Sequence, residues 1–200
     1  MKDKMVSDLR QEVETFYDHY LYLCDIMAVS EHMGNSSNLA KEKAPNFFRV
    51  VESACIDAMM MEFARLYDDD KNAKTIPSLL DKCMNNATLF TNKKEIENKI
   101  NEYKLKMKDD DYIPKAISTI KLRRDKIFAH NDRKFFVNPE KDDSYLPTYQ
   151  LWFLRNFTGE VIHFLMDELA SKVTKTTIYD KDLDNLCKFD MFPQTDQTAE

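Results

Sequence analysis

Arg124 and His130 lie six residues apart in the stretch Lys121 to Lys134, where an acidic chain turns basic. Six of the fourteen residues there are positive and two negative, a local excess of four in a protein of formal charge −6. A guanidinium binds phosphates and carboxylates, and an imidazole exchanges protons near neutral pH, so the pair points to anion binding or acid–base work. The plainer reading of His130 is a histidine near a helix end that satisfies a carbonyl or the helix dipole.

At 100° per residue, Ile113, Ile117, Ile120, Arg124, Ile127 and Asn131 fall within about 40° of one line along a helix. An arginine in an apolar stripe must find a carboxylate, a phosphate or a wet cleft, because an unpaired buried guanidinium is too costly to keep. His130 lies about 120° from Arg124 on an ideal helix and shares a face with Arg123 instead. The two arginines are therefore expected to play different parts, with Arg124 facing a seam between helices or subunits. A helix ending at Ala129 would let His130 turn toward Arg124.

The elements that must position these groups are helices. Leu9, Val13, Phe16, Tyr20, Leu23 and Met27 recur every three or four residues and predict a helix over Met5 to Met33, with Ser7 as its cap. Gly34 to Asn38 reads as a stop and loop. Pro45 suits a first turn, and Phe47 to Tyr67 is apolar enough to be the central helix, carrying Phe47, Val50, Val51, Ala54, Ala58, Met61, Ala64 and Leu66. Thr75 with Pro77 starts a helix to about Phe90, and Thr91 starts a lysine-rich one to about Lys108 with a thin stripe of Ile96, Ile100, Tyr103 and Met107.

The helix with the motif follows from Ile113, then a loop over Arg133 to Thr148. A sixth helix runs from Tyr149 to about Val173, burying Trp152, Phe153, Phe157, Val161, Phe164, Leu165 and Leu169. Asp182 to Phe189 reads as a further turn or two. Residues 1–192 are expected to form one domain and 193–200 a polar tail.

Composition narrows the function. Two glycines in 200 residues leave no Gly-rich phosphate loop or dinucleotide fingerprint. Four dispersed cysteines, Cys24, Cys55, Cys83 and Cys187, make no Cys-x-x-Cys pair and read as reduced, buried thiols. No apolar run approaches the roughly 18 residues of a membrane span and the first segment mixes charge signs, so a cytoplasmic protein is expected. The triplet Asp68-Asp69-Asp70 invites a metal, but adjacent carboxylates diverge on a helix and suit a connector or cap better. Asp109-Asp110-Asp111 is placed to cap the helix that follows. His163, four before Asp167, reads as packing, and His19 and His32 have no evident partner.

Arg124-Asp125, four further residues and His130 make an Arg-polar-x-x-x-x-His pattern, which resembles the motif of the HEPN superfamily. With Ala64-Arg65-Leu66-Tyr67-Asp68 ending an upstream helix, and Arg-Asp-Lys-x-x-Ala-His-x-Asp here, the chain resembles the abortive-infection branch over roughly residues 5 to 170. The resemblance implies an all-α, up-and-down bundle of five to six helices that dimerises, so that two motifs face a cleft where RNA is cut without metal or cofactor. It gives Arg124 and His130 the catalytic roles, with Asp125 orienting them. Arg123, Lys126, Arg133 and Lys134 would hold the RNA backbone, with Asn131 and Asp132 as lesser RNA contacts. Arg65 and Asp68 match the branch pattern and are secondary candidates. A non-catalytic HEPN module binding RNA, a nucleotide or a protein is the alternative, and a cognate antitoxin or nucleotidyltransferase is a candidate partner.

Overall fold

The computed structural model describes residues 2–35, 39–70, 72–125 and 146–169, and these hold seven α-helices, one 3₁₀ turn and no strand. In chain order they are α1 (Lys2–Asn35), α2 (Leu39–Lys43), α3 (Pro45–Leu66), α4 (Ile76–Asn85), the 3₁₀ turn Ala87–Leu89, α5 (Lys93–Asp109), α6 (Ile113–Arg123) and α7 (Thr148–Glu168). The expected all-helical bundle is therefore found, with the five-residue α2 added between the predicted loop at Gly34 to Asn38 and Pro45, where no element was expected. The predicted turn at Asp182 to Phe189, the tail, Cys187 and the end of the sixth helix beyond Leu169 lie outside the described residues.

Helix starts follow local chemistry. Thr75 and Ser78 cap α4 reciprocally: the Thr75 hydroxyl accepts from the Ser78 N–H at 3.2 Å, and the Ser78 hydroxyl accepts from the Thr75 N–H at 2.8 Å. At α5 the cap is Asn92 and not Thr91, since the Asn92 side-chain oxygen accepts from the Glu95 N–H at 3.3 Å. Ser7 falls inside α1, which begins at Lys2. Asp110 accepts from the N–H groups of Tyr112 and Ile113 at 2.8 and 3.1 Å, so the second acidic triplet does serve the start of α6.

α1 packs on α3 and α7, and α6 packs on α3, α5 and α7. The core between them contains Val13, Leu23, Phe63, Leu66, Ile100, Tyr103, Ile120, Leu154 and Leu165, all buried. Tyr67, at the end of α3, is buried against α7, its hydroxyl 2.7 Å from the Thr158 hydroxyl. Thr158 gives its single proton to the Leu154 carbonyl at 2.7 Å, so Tyr67 must be the donor to Thr158. Burial also raises the Tyr67 phenol, which keeps that donor protonated.

Gly159 has a packing reason inside α7, because a Cβ there would meet Tyr20 Cζ at 2.7 Å as well as the hydroxyl. His163 lies edge-on to Tyr17 and Tyr20, with ring centroids 5.5 and 5.9 Å apart, which is the packing role expected of it. Of the described cysteines only Cys83 is buried; Cys24 and Cys55 are half-buried.

α3 departs most from expectation. Its buried residues are Met59, Met60, Glu62, Phe63, Ala64 and Leu66, all in the C-terminal half. Phe47, Val50 and Met61 remain 60%, 64% and 43% exposed. α6, eleven residues against the twenty-two of α3, covers at most about 16 of some 33 Å at 1.5 Å per residue. The central-helix reading is thus right for half of α3.

Candidate functional site

The buried face of α6 consists of Ile113, Ala116, Thr119 and Ile120. Ala116 and Thr119 shift its centre from the isoleucine line, so that Arg123 falls about 30° from the centre and Arg124 about 70° on an ideal helix. Arg124 is thus at the edge of the stripe and not in its middle, and Arg123 is the more deeply set. The expectation that the two diverge is met by the surfaces they line.

Arg123 lines a cavity of about 470 Å³ between α1, α3 and α7, with Glu31, Glu52, Met59 and Trp152 among its walls. Burial lowers the pKa of its guanidinium from the ordinary value. Arg124 lines a separate groove of about 440 Å³ with Tyr22, Ala58, Met61, Glu62, Arg65 and Asp68.

Arg124 finds carboxylates, as an arginine set against an apolar stripe must. Its Nε donates to Asp125 Oδ1 at 2.8 Å and its Nη1 donates to Asp68 Oδ2. Asp125 and Asp68 each raise its pKa, so its charge is permanent. Asp68 in turn accepts from the Asp70 N–H at 2.9 Å. That backbone bond first, and then the Arg124 charge, hold the Asp68 carboxyl below its ordinary value. Beside it, Lys121 Nζ meets Asp69 Oδ1 at 2.6 Å. Two members of the first acidic triplet therefore fasten the end of α6 to the end of α3.

Arg65, one turn before Asp68, is held by Glu62 through Nε at 3.3 Å and through Nη2. Its Nη1 lies 3.1 Å from His19 Nε2 on α1. Arg65 and Asp68 are thus brought together with Arg124 and Asp125, and Arg65 is more than an intrahelical ion pair. The residues Lys126, His130, Asn131, Asp132, Arg133 and Lys134 lie outside the described residues.

The sequence reading missed three residues here. Glu62 was legible as the carboxylate three before Arg65, the spacing of a helical ion pair. His19 and Tyr22 share a face of α1, but nothing local links them to residues more than forty positions away. Within the groove two guanidiniums are each fixed by a carboxylate and can still direct N–H groups at a phosphate. Three carboxylates, Glu62, Asp68 and Asp125, outweigh these two charges, so the described groove has no net attraction of its own for a polyanion.

No group of three or more His, Cys, Asp or Glu side chains among the described residues is gathered as a metal site. No described helix is long and apolar enough to cross a membrane. A family model described as AbiU2, of the HEPN class, matches residues 3–186. No curated protein and no solved structure matches the chain.

Proposed function

Since the chain belongs to the AbiU2 family of HEPN proteins, we propose that it is a metal-independent endoribonuclease acting as a toxin or phage-defence effector, with Arg124 and His130 as its catalytic pair. The observation that carries this reading is Arg124, held at the rim of a groove by Asp68 and Asp125 six residues before a histidine. A fixed guanidinium is what the reaction needs, since charge grows on the phosphoryl oxygens as the bond is exchanged. The 2′-hydroxyl of one ribose attacks the neighbouring phosphorus and the bond to the 5′-oxygen breaks. The imidazole of His130 moves protons, and a 2′,3′-cyclic phosphate and a 5′-hydroxyl remain. Asp125 orients Arg124, and Arg123, Lys126, Arg133 and Lys134 supply charge for the RNA backbone.

The bare side of α3 supports a second copy as partner. Phe47, Val50, Ala54, Met61 and Arg65 fall within about 60° of one another on that helix, and Met61 and Arg65 line the groove, so the exposed apolar stripe runs into it. A self-associating surface there brings two grooves into one assembly.

The test is cleavage of labelled RNA in excess EDTA by wild type, His130→Ala and Arg124→Ala. Wild-type cleavage that both substitutions reduce by 10² or more supports the enzyme. An inert wild type at high concentration sinks it. The alternative, a module that binds without cutting, draws on the pairing of both groove arginines with carboxylates; it expects an inert wild type whose RNA or partner binding still falls in Arg124→Ala.

A further inference from the structure

His19 is the one histidine that the fold brings to the groove arginines among the described residues. Its Nδ1 lies 3.3 Å from Glu62 Oε1, and its Nε2 lies 3.1 Å from Arg65 Nη1. A guanidinium can only donate, so Nε2 must be the bare, accepting nitrogen, and the single ring proton sits on Nδ1, on the side of the Glu62 carboxylate. Only the neutral ring in that tautomer satisfies both neighbours. An imidazolium would turn a second N–H and a second positive charge onto Arg65.

The charged groups facing His19 are Asp18 on its own helix and Glu62 and Arg65 on α3. Burial first, then Arg65, lower its pKa from the ordinary 6.5, against Glu62 and Asp18, which raise it. The neutral ring is therefore the form present at neutral pH. With the folded pKa below the unfolded one, the stabilising contact is complete above about 6.5 and is lost as pH falls through the lowered value.

We propose that His19 is a titrating positioning residue of the groove: neutral, it accepts from Arg65 and with Glu62 locks that guanidinium beside Arg124; protonated, it keeps Glu62 and releases Arg65. Two locked guanidiniums then offer a phosphate a preorganised pair of cations, and acid unlocks one of them. The inference rests on the ribonuclease reading for its ligand, the RNA phosphate, but its central contact is testable without RNA.

His19→Gln decides it, because the amide oxygen can accept from Arg65 and the amide nitrogen donate to Glu62, yet the group does not titrate. The ratio of His19→Gln to wild-type cleavage, measured in EDTA from pH 8 to pH 5, cancels the titration of His130. That ratio should stay near one at pH 8 and rise about tenfold in acid, through kcat and not KM, which is the scale of one hydrogen bond to a charged group. His19→Ala should be slow at every pH. In parallel, an NMR titration of His19 in Arg65→Gln should show its pKa raised above that in wild type. A flat ratio, or a His19 pKa that Arg65→Gln leaves unmoved, overturns the proposal. If wild type cuts no RNA, the ribonuclease reading fails, while the NMR titration still decides whether His19 and Arg65 are coupled.

Discussion

The two halves of α3 have the same apolar character and opposite fates. From Met59 to Tyr67 the chain packs against α1, α6 and α7, with Phe63 fully buried and Tyr67 hydrogen-bonded to Thr158. From Phe47 to Ile56 none of the large apolar side chains is buried: Phe47, Val50 and Ile56 are exposed, Val50 at 64%, and Phe48 and Val51 are half-buried. The groove with Arg65, Asp68 and Arg124 runs from the join, at Ala58, along the outer side of the packed half. Apolar content alone thus does not say which half is core; the reach of the neighbouring helices does. A contiguous bare apolar stripe marks an interaction surface, whereas isolated exposed apolar residues need no explanation.

Substitutions can break that contrast. Phe63→Ala should cost about 3–5 kcal/mol in urea denaturation, whereas Phe47→Ala should change monomer stability by about 0.5 kcal/mol or less. Equal losses would mean that the N-terminal half is also core. Val50→Asp tests the other side: light scattering at micromolar concentration should show wild type as a dimer and the variant as a monomer, whose denaturation midpoint matches that of wild type diluted until it dissociates. A monomeric wild type would remove the second copy as the partner of the stripe.

Smaller effects sharpen the anchor at the buried end. Thr158→Val strands the Tyr67 hydroxyl proton in the core and should cost about 1–3 kcal/mol, while Tyr67→Phe leaves Thr158 bonded to Leu154 and should cost only about 1 kcal/mol. The reverse order would mean that Thr158 is the donor.

The smallest effect is that of Asp68. Its carboxyl is held low by the Asp70 N–H and by Arg124, so its contribution is present above the unfolded carboxylate value of about 3.9 and fades as pH falls through the lowered one. Asp68→Asn should therefore weaken the protein at pH 7 and flatten its loss of stability in acid, as followed by thermal melts between pH 7 and pH 3. A variant with the wild-type acid slope would show that the Asp68 and Arg124 pair does not survive in solution.

Much of this was legible because it is local. Six helices could be read from the spacing of residues such as Leu9, Val13 and Phe16, and the capping of α4 from Thr75, since period and caps depend on neighbours within a turn or two. Arg124 stood out because a charge on an apolar stripe is a local conflict. Its partner Asp68 stood out in the acidic triplet and in the family pattern but was not linked to Arg124, and the exchange of depth between Arg123 and Arg124 was hidden by Ala116 and Thr119, small residues whose burial a hydrophobic stripe does not register.

The sequence by itself determined the helices, their rough limits and an arginine in need of a carboxylate, since each follows from interactions within a few residues. Only the tertiary structure decided which carboxylate that is, that α3 is buried along one half and carries an exposed apolar stripe along the other, and that His19 meets Arg65 across 46 positions. Those outcomes depend on where one helix crosses another, and crossing is set by the packing of whole faces, which no short stretch of chain contains.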